Sequence, residues 1–372
     1  MSPSNFLPNI FKGGIFIFGL MKKTIIIKVS KENPEPDKIR IAADIIRRGG
    51  LVAFPTETVY GLGADALNPD AVKEIYAAKM RPPDNPIIVH IARKEDVYKL
   101  AVDIPKSGEK LIDIFWPGPL TLVLKASNIV PRVTTGGLDT IAIRMPKHEV
   151  ALALIREAGR PIAAPSANLA GRPSPTLAEH VLQDLFGRID AILDAGPTNI
   201  GVESTVLDLS CNPPQILRPG GVTYEDLKAV LGEVSIHPAA VAKSEVHIER
   251  TRSPGMKYKH YAPKAEMLVV EGELKSVIMK VRELAKYYIE AGKKVGILAT
   301  DESMKEYNLG IVKSMGSRNN LASVARNLFK LLRELDNEGV DLIIAEGLPQ
   351  ENLGLAVMNR LRKAASYNII NV

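Results

Sequence analysis

The sequence predicts two mixed α/β units joined by an irregular segment. The first is an α+β-like, mixed-sheet domain over residues 21–234; the second is a small parallel α/β domain over 266–372. Three observations carry this. Between about 36 and 232, helix-like and strand-like segments alternate irregularly, and several strands follow one another directly, which favours a mixed sheet over a regular parallel one. From Met267, four apolar strand segments alternate regularly with helical stretches, the pattern of a parallel sheet. Between the two, residues 235–265 carry Pro238, Pro254 and Pro263, and the cations Arg250, Arg252, Lys257, Lys259 and Lys264. No long apolar period appears there, as in a linker or long functional loop.

Each element has its own signal. Ile41 to Arg48 has helical periodicity and stops at Gly49-Gly50. Leu51-Val52-Ala53-Phe54, closed by Pro55, reads as a buried strand. Asn68-Pro69-Asp70 starts a helix with a capping side chain and a proline in its first turn, and the helix runs to Met80. Ile87 to Ile91, Leu120 to Leu124 and Thr140 to Ile143 read as strands. His148 to Ala158 is helical and stops at Gly159. Ile162 to Ala164 is a short strand, and Thr176 to Phe186 a helix. Ile192-Leu193, Ser204 to Leu209 and Gln215 to Leu217 are late strands. In the second unit, strands over 267–270, 295–298, 341–345 and 367–370 alternate with helices over 274–291, 321–335 and 353–363.

Composition narrows the class. The chain has 372 residues, 46% hydrophobic and 24% charged, close to globular averages. A net charge of +6 is compatible with anionic partners, nucleotides or RNA among them, without being a footprint in itself. The one cysteine, Cys211, excludes an internal disulfide and a multi-cysteine metal site, and a reduced intracellular setting is expected. Phe6 to Leu20 is apolar but short, interrupted by glycines and Lys12, and lacks a basic leader. Residues 1–20 are therefore expected to be an extension ahead of a natural start at Met21. No other stretch is long and apolar enough for a membrane span, so a soluble protein is expected; a cytoplasmic setting and a monomer are expected as well.

Polar residues concentrate at predicted strand ends. Thr56, Glu57, Thr58 and Tyr60 follow the strand over 51–54; a ligand-facing loop and a polar surface turn fit them equally. Lys79 and Arg81 sit at a helix C-terminus, either complementing its dipole or forming a phosphate clamp stiffened by Pro82, Pro83 and Pro86. His90 ends an apolar strand. So does Arg144, and a buried arginine needs an anion, whether a salt-bridge partner or a bound carboxylate or phosphate. Ala163 to Ser174 combines small residues with Ser166, Asn168 and Ser174, leaving room for a ligand near the backbone. Glu203-Ser204-Thr205 opens a strand with polar residues, and Arg218 repeats the placement of Arg144. No Walker A motif, GxSxG elbow, HExxH pair or carboxylate cluster occurs, so a bound nucleotide would be held by cations and backbone amides from several loops.

Seven of these stretches, in order, resemble the YrdC family of threonylcarbamoyl-AMP synthases: PTETVYGLGADA, KMRPPDNPIIVHI, WPGPLTLVL, IAIRMP, APSANLAGRPSPT, ESTVLDLS and ILRPGG. They cover about residues 37–232. SPGMKYKHYAPKAE and the unit after it are similar to the longer, two-domain version of the family. The resemblance implies a twisted open sheet around a concave, positively charged cavity, followed by a Rossmann-like domain. It implies condensation of L-threonine, bicarbonate or CO2, and ATP into threonylcarbamoyl-AMP and pyrophosphate, with partner proteins passing the group to tRNA.

By the same resemblance, Thr56, His90, Arg144 and Ser204 would contact L-threonine. Lys79, Arg81, Thr140, Ser166, Asn168, Ser174 and Arg218 would contact ATP, assisted by backbone near Pro83 and Ala164. Tyr258, His260 and Tyr261 would cover the cavity, with Tyr258 and Tyr261 also contacting ATP; a basic tether is the alternative for that stretch. Magnesium (Mg2+) would accompany ATP, held by phosphates and water rather than by protein side chains. No nucleophile is expected, since this chemistry needs positioning and charge stabilisation. The alternative function is an RNA-binding module of the tRNA modification machinery, whose mark would be salt-dependent RNA binding without pyrophosphate release.

Overall fold

The computed structural model describes residues 22–244 and 260–372. The expected N-terminal extension over 1–20, and Tyr258, lie outside the described residues. The first domain runs β1 (Ile25–Lys28), α1 (Pro36–Arg47), β2 (Val52–Pro55), β3 (Tyr60–Asp65), α2 (Pro69–Lys79), β4 (Val89–His90), α3 (Val97–Leu100), β5 (Ala101–Val102) and α4 (Lys106–Phe115). It continues β6 (Leu120–Ala126), β7 (Thr140–Arg144), α5 (Glu149–Ala158), β8 (Ile162–Ala163), α6 (Ala178–Leu185) and β9 (Ala191–Asp194). It closes with β10 (Thr205–Asp208), β11 (Gln215–Arg218), α7 (Tyr224–Leu231), β12 (Ser235–Ile236) and α8 (Pro238–Val241). Their sheet has 12 strands in the order β1-β9-β2-β3-β8-β4-β7-β6-β10-β11-β12, with β5 beside β6. Parallel and antiparallel neighbours mix, as the irregular spacing of the elements predicts.

Local chemistry sets the boundaries. The Asn68 side chain accepts from the amides of Asp70 (3.0 Å) and Ala71 (3.2 Å), and Met80 ends α2 in a left-handed conformation. Helices α1 and α5 pack on each other and on β2, burying Ile39, Ile46, Val150 and Leu154. Strand alternation then separates two faces. Leu122, Leu124, Ile141, Ile143 and Val89 join the main core, whereas Val123, Ala142 and Ile88 form a small cluster on the other side. His90 and Arg144 share the parity of Ile88 and Ala142, so the sheet presents both on that second face.

The second domain is β13 (Glu266–Glu271), α9 (Leu274–Glu290), β14 (Val295–Ala299), β15 (Ile311–Ser314), α10 (Leu321–Asn337), β16 (Leu342–Glu346), α11 (Leu353–Ala364) and β17 (Ile369–Asn371). Its five strands are all parallel, in the order β15-β14-β16-β13-β17. Helix α9 covers one face; α10 and α11 cover the other. Strand β15 has no counterpart in the sequence reading. It is a half-buried edge strand whose Lys313 pairs with Glu334 (3.3 Å) and Glu338 (2.6 Å), so its apolar signal is weak.

The domains meet along α10 and α11. Helix α11 is buried on all sides from Gly354 to Ala364, because its own sheet covers one flank and the first domain the other. Asn359 donates to the carbonyl of Ala240 at 2.8 Å, and Arg333 of α10 donates to Asp184 of α6 at 2.8 Å. No helix among the described residues is long and apolar enough to cross a membrane.

Candidate active site

The second face of the sheet opens into a cavity of ≈ 380 Å³, within the range of small-molecule sites. It draws its lining from loops far apart in sequence. Thr56, Lys79, Arg81, His90, Arg144, Ala164, Ser166, Asn168, Ser204, Arg218 and Tyr261, all expected at a site, line it together, as does His260. Three expected residues do not. Pro83 is exposed beside the lining Pro82; Thr140 lies at the far end of β7; Ser174 is buried behind the wall. Its hydroxyl donates to Glu203, so Ser174 reaches the cavity only through that carboxylate.

Residues 56–59 form the turn of a hairpin between β2 and β3 rather than a surface loop. The Thr56 hydroxyl donates to the carbonyl of Val59 at 2.7 Å and accepts from the amides of Thr58 (3.2 Å) and Val59 (3.3 Å). The hydroxyls of Thr56, Thr58 and Tyr60 are tolerated there because each is hydrogen-bonded inside the fold, and Glu57 because it is ion-paired with Arg144. Strand β3 carries Gly61 beside the small-residue loop; a Cβ there would lie 3.2 Å from that of Ala164. This close approach brings Ala164 and Ser166 to the cavity.

Arg144 is 4 % exposed and held on three sides. Its Nε donates to the carbonyl of Gly118 (3.2 Å) and Nη1 to the Thr58 hydroxyl (3.0 Å), while Nη2 lies 2.7 Å from Glu57 Oε2 as an ion pair without hydrogen-bond alignment. His90 packs edge-on against Phe54, and its Nδ1 has no hydrogen-bond partner among the described residues. Burial, then the neighbouring Arg144 charge, pushes the His90 imidazole down to about 3, so it is neutral at pH 7.

Elsewhere on the lining, Lys79 Nζ donates to the carbonyls of Ser166 and, at 2.6 Å, Asn168, tying the end of α2 to the small-residue loop. Burial and the nearby Arg81 push this ammonium down to about 7. Arg81 Nη2 donates to the carbonyl of Asn85 at 2.9 Å, with its guanidinium over the Tyr76 ring. The Asn168 amide donates to the carbonyls of Leu169 (2.7 Å) and Arg172 (3.0 Å), leaving a buried Oδ1 without a partner among the described residues. Arg218 donates to Ser204 through its backbone carbonyl (3.1 Å) and hydroxyl (3.2 Å), and that hydroxyl also meets Thr121 at 2.8 Å. Burial, then Lys363 and the lining cations, keeps His260 well below its usual range.

Sequence reasoning missed Glu203 as part of the wall, and left Glu57 without a role. Burial raises the Glu203 carboxyl, but Arg360 and Arg218 outweigh this and leave it below the usual carboxylate range. Glu57 sits behind Arg144 rather than on the lining.

Converging cations, neutral imidazoles and hydroxyls give this protein the kind of lining that suits anionic small molecules. The comparisons agree with that reading. The family described as telomere recombination (Sua5, YciO and YrdC) matches residues 44–220. The family described as threonylcarbamoyl-AMP synthase, C-terminal domain, matches residues 222–366. The threonylcarbamoyl-AMP synthase of Pyrococcus abyssi is 56% identical over 94% of this chain and 100% of its own. That of Bacillus subtilis is 50% identical over 92% of this chain and 96% of its own. The crystal structure of P. abyssi Sua5 complexed with L-threonine is 55% identical, with a TM-score of 0.89 over 94% of this chain and 99% of that one. The chain belongs to the Sua5/YrdC family of threonylcarbamoyl-AMP synthases.

Proposed function

We propose that this cavity condenses L-threonine, bicarbonate or CO2, and ATP into threonylcarbamoyl-AMP and pyrophosphate. Partner proteins would then carry the threonylcarbamoyl group to tRNA. The observation that carries the reading is the meeting, in one cavity, of an arginine held on three sides beside a neutral histidine and a second set of cations. The first pair suits an amino acid; the second suits phosphates.

The chemistry balances without a protein nucleophile. The threonine amine attacks CO2, forming a C–N bond and, after losing a proton, a carbamate. A carbamate oxygen attacks the α-phosphorus; a P–O bond forms as the bond to pyrophosphate breaks. Arg144 presents its fork to the threonine carboxylate, oriented by Glu57, Thr58 and Gly118. Neutral His90 accepts a hydrogen bond from the substrate instead of adding a second charge. Lys79, Arg81 and Arg218 hold the phosphates, and the open Oδ1 of Asn168 accepts from a hydroxyl or amino group of the nucleoside. Fixed charges of this kind stabilise the transition state without reorganising.

Glu203 is already engaged by Ser174 and Arg360. Magnesium is accordingly proposed to travel on the ATP phosphates and water, where it neutralises charge as pyrophosphate departs. The test is pyrophosphate release by the full chain with each substrate omitted in turn. Release should need L-threonine, bicarbonate and ATP together; release from ATP alone would overturn the reading.

A further inference from the structure

One buried side chain of the second domain reaches the cavity wall of the first. Arg360 lies on α11 and is 0% exposed. Its Nε donates to Glu203 Oε2 at 2.9 Å, and Nη1 donates to the carbonyl of Pro219 at 2.6 Å. Its guanidinium carbon lies 5.6 Å from the centroid of the Tyr261 ring, which also stacks against Phe329 of α10 at 5.2 Å. Three separate parts of the wall thus converge on a single guanidinium. Glu203 lies just ahead of β10 and holds Ser174; Pro219 follows Arg218 at the end of β11; Tyr261 belongs to the segment that enters the second domain.

Resting on the function proposed above, we propose that Arg360 is a positioning residue for the nucleotide half of the site: through Glu203, Pro219 and Tyr261 it fixes the wall that receives ATP, making the second domain part of that subsite. The chemistry calls for arginine. Glu203 is buried and needs a cation, Pro219 supplies a carbonyl that needs a donor, and Tyr261 presents a ring face. Only a planar, multi-donor cation serves all three at once, whereas a lysine could neutralise Glu203 without spanning to the others. The packing leaves little slack, because a Cβ on Gly220 would lie 2.3 Å from the Glu203 carbonyl oxygen and 2.3 Å from the Thr205 nitrogen. The turn after Arg218 is pressed against the chain at Glu203, and Arg360 bridges the two from behind. The principal threonine-side residue has separate supports: Arg144 is held by Glu57, Thr58 and Gly118, while Ser204 is shared between Arg218 and Thr121.

The position of Arg360 at the domain interface invites a simpler account, in which it only glues the domains together. The two accounts differ in what they do to each substrate. Loss of domain docking weakens both substrates; loss of a wall of the nucleotide pocket weakens ATP selectively. The experiment uses full-length Arg360→Met and Arg360→Lys, with pyrophosphate release measured against ATP at saturating threonine. Threonine binding is measured separately by calorimetry without ATP, and folding by thermal melting. The expected result for Arg360→Met is an ATP KM raised by about tenfold or more, with the threonine Kd changed by less than about twofold and one cooperative melt. Arg360→Lys should recover only part of the loss. Equal weakening of both substrates, or an unmoved ATP KM, overturns the inference. Should Arg360→Met fail to fold, Glu203→Gln in the full chain serves instead: an ATP-selective rise supports the inference, and an unmoved ATP KM overturns it. Wild-type protein that releases no pyrophosphate would sink the proposed function itself, whereas an active wild type with unselective variants sinks only the role of Arg360.

Discussion

Glu57 and Arg144 stand 2.7 Å apart, both almost completely buried, with Arg144 facing the cavity and Glu57 behind it. The carboxylate therefore fixes and partly neutralises the arginine rather than meeting a ligand. Removing one partner of a buried ion pair leaves the other uncompensated, typically at about 3–5 kcal/mol. Glu57→Gln should lower stability by about that amount. It should also weaken threonine by about tenfold, as the guanidinium loses one of its orienting contacts. Denaturant unfolding and threonine calorimetry on the same protein check both effects. Unchanged threonine affinity with lowered stability would leave Glu57 a purely structural residue.

Arg144 and Lys79 should each be indispensable for turnover. Arg144→Ala and Lys79→Ala are expected to reduce threonine- and bicarbonate-dependent pyrophosphate release by at least about 100-fold, the scale of losing one preorganised electrostatic contact. Arg144→Lys should not rescue, because a point charge cannot reproduce the fork. Steady-state rates, with circular dichroism to verify folding, give the answer. Near-wild-type turnover in both alanine variants would overturn the site assignment.

Lys79 also predicts a proton signature. Burial and Arg81 lower its pKa to about 7, and burial lowers that of Lys363 to about 7 as well. Between pH 7 and the ordinary lysine range, the ligand-free protein holds these protons weakly. Phosphates placed beside Lys79 raise its pKa, so ATP binding at pH 8 should take up protons and weaken as pH rises above 7. Calorimetry of ATP binding in two buffers of different ionisation enthalpy measures the uptake. Lys79→Met should diminish it, and proton release in the wild type would contradict the assignment.

The docking of the two domains depends on Gly201. Its φ of +85° suits glycine, and a Cβ there would lie 2.4 Å from the carbonyl oxygen of Ala325 and 2.4 Å from the Cα of Arg326 on α10. Gly201→Ala is expected to cost about 1–3 kcal/mol and to loosen α10 from the first domain. Limited proteolysis and small-angle scattering should detect it; a variant as compact and protease-resistant as wild type would contradict the interface described.

What the sequence made legible was local. The glycine stop after α1, the Asn68 cap, and the placement of His90 and Arg144 at strand ends all rest on neighbours in the chain. Strand β3 was hidden because Gly61 and Gly63 dilute its strand signal, and α4 because Gly108 interrupts it. The pairing of Glu203 with Arg360 joins residues 157 positions apart across two domains, and nothing near either residue announces the other. Ser174 shows the same limit. Its residue type suggested ligand contact, yet its hydroxyl faces Glu203 and its influence on the cavity is indirect.

The most direct test of the proposed function follows the carbon. The protein is incubated with ATP, L-threonine and carbon-13 bicarbonate, and the mixture is analysed by mass spectrometry. The account predicts labelled threonylcarbamoyl-AMP, formed together with pyrophosphate, in the wild type and its loss in Arg144→Ala. Pyrophosphate released without any labelled adenylate, or labelled adenylate undiminished in Arg144→Ala, would contradict it.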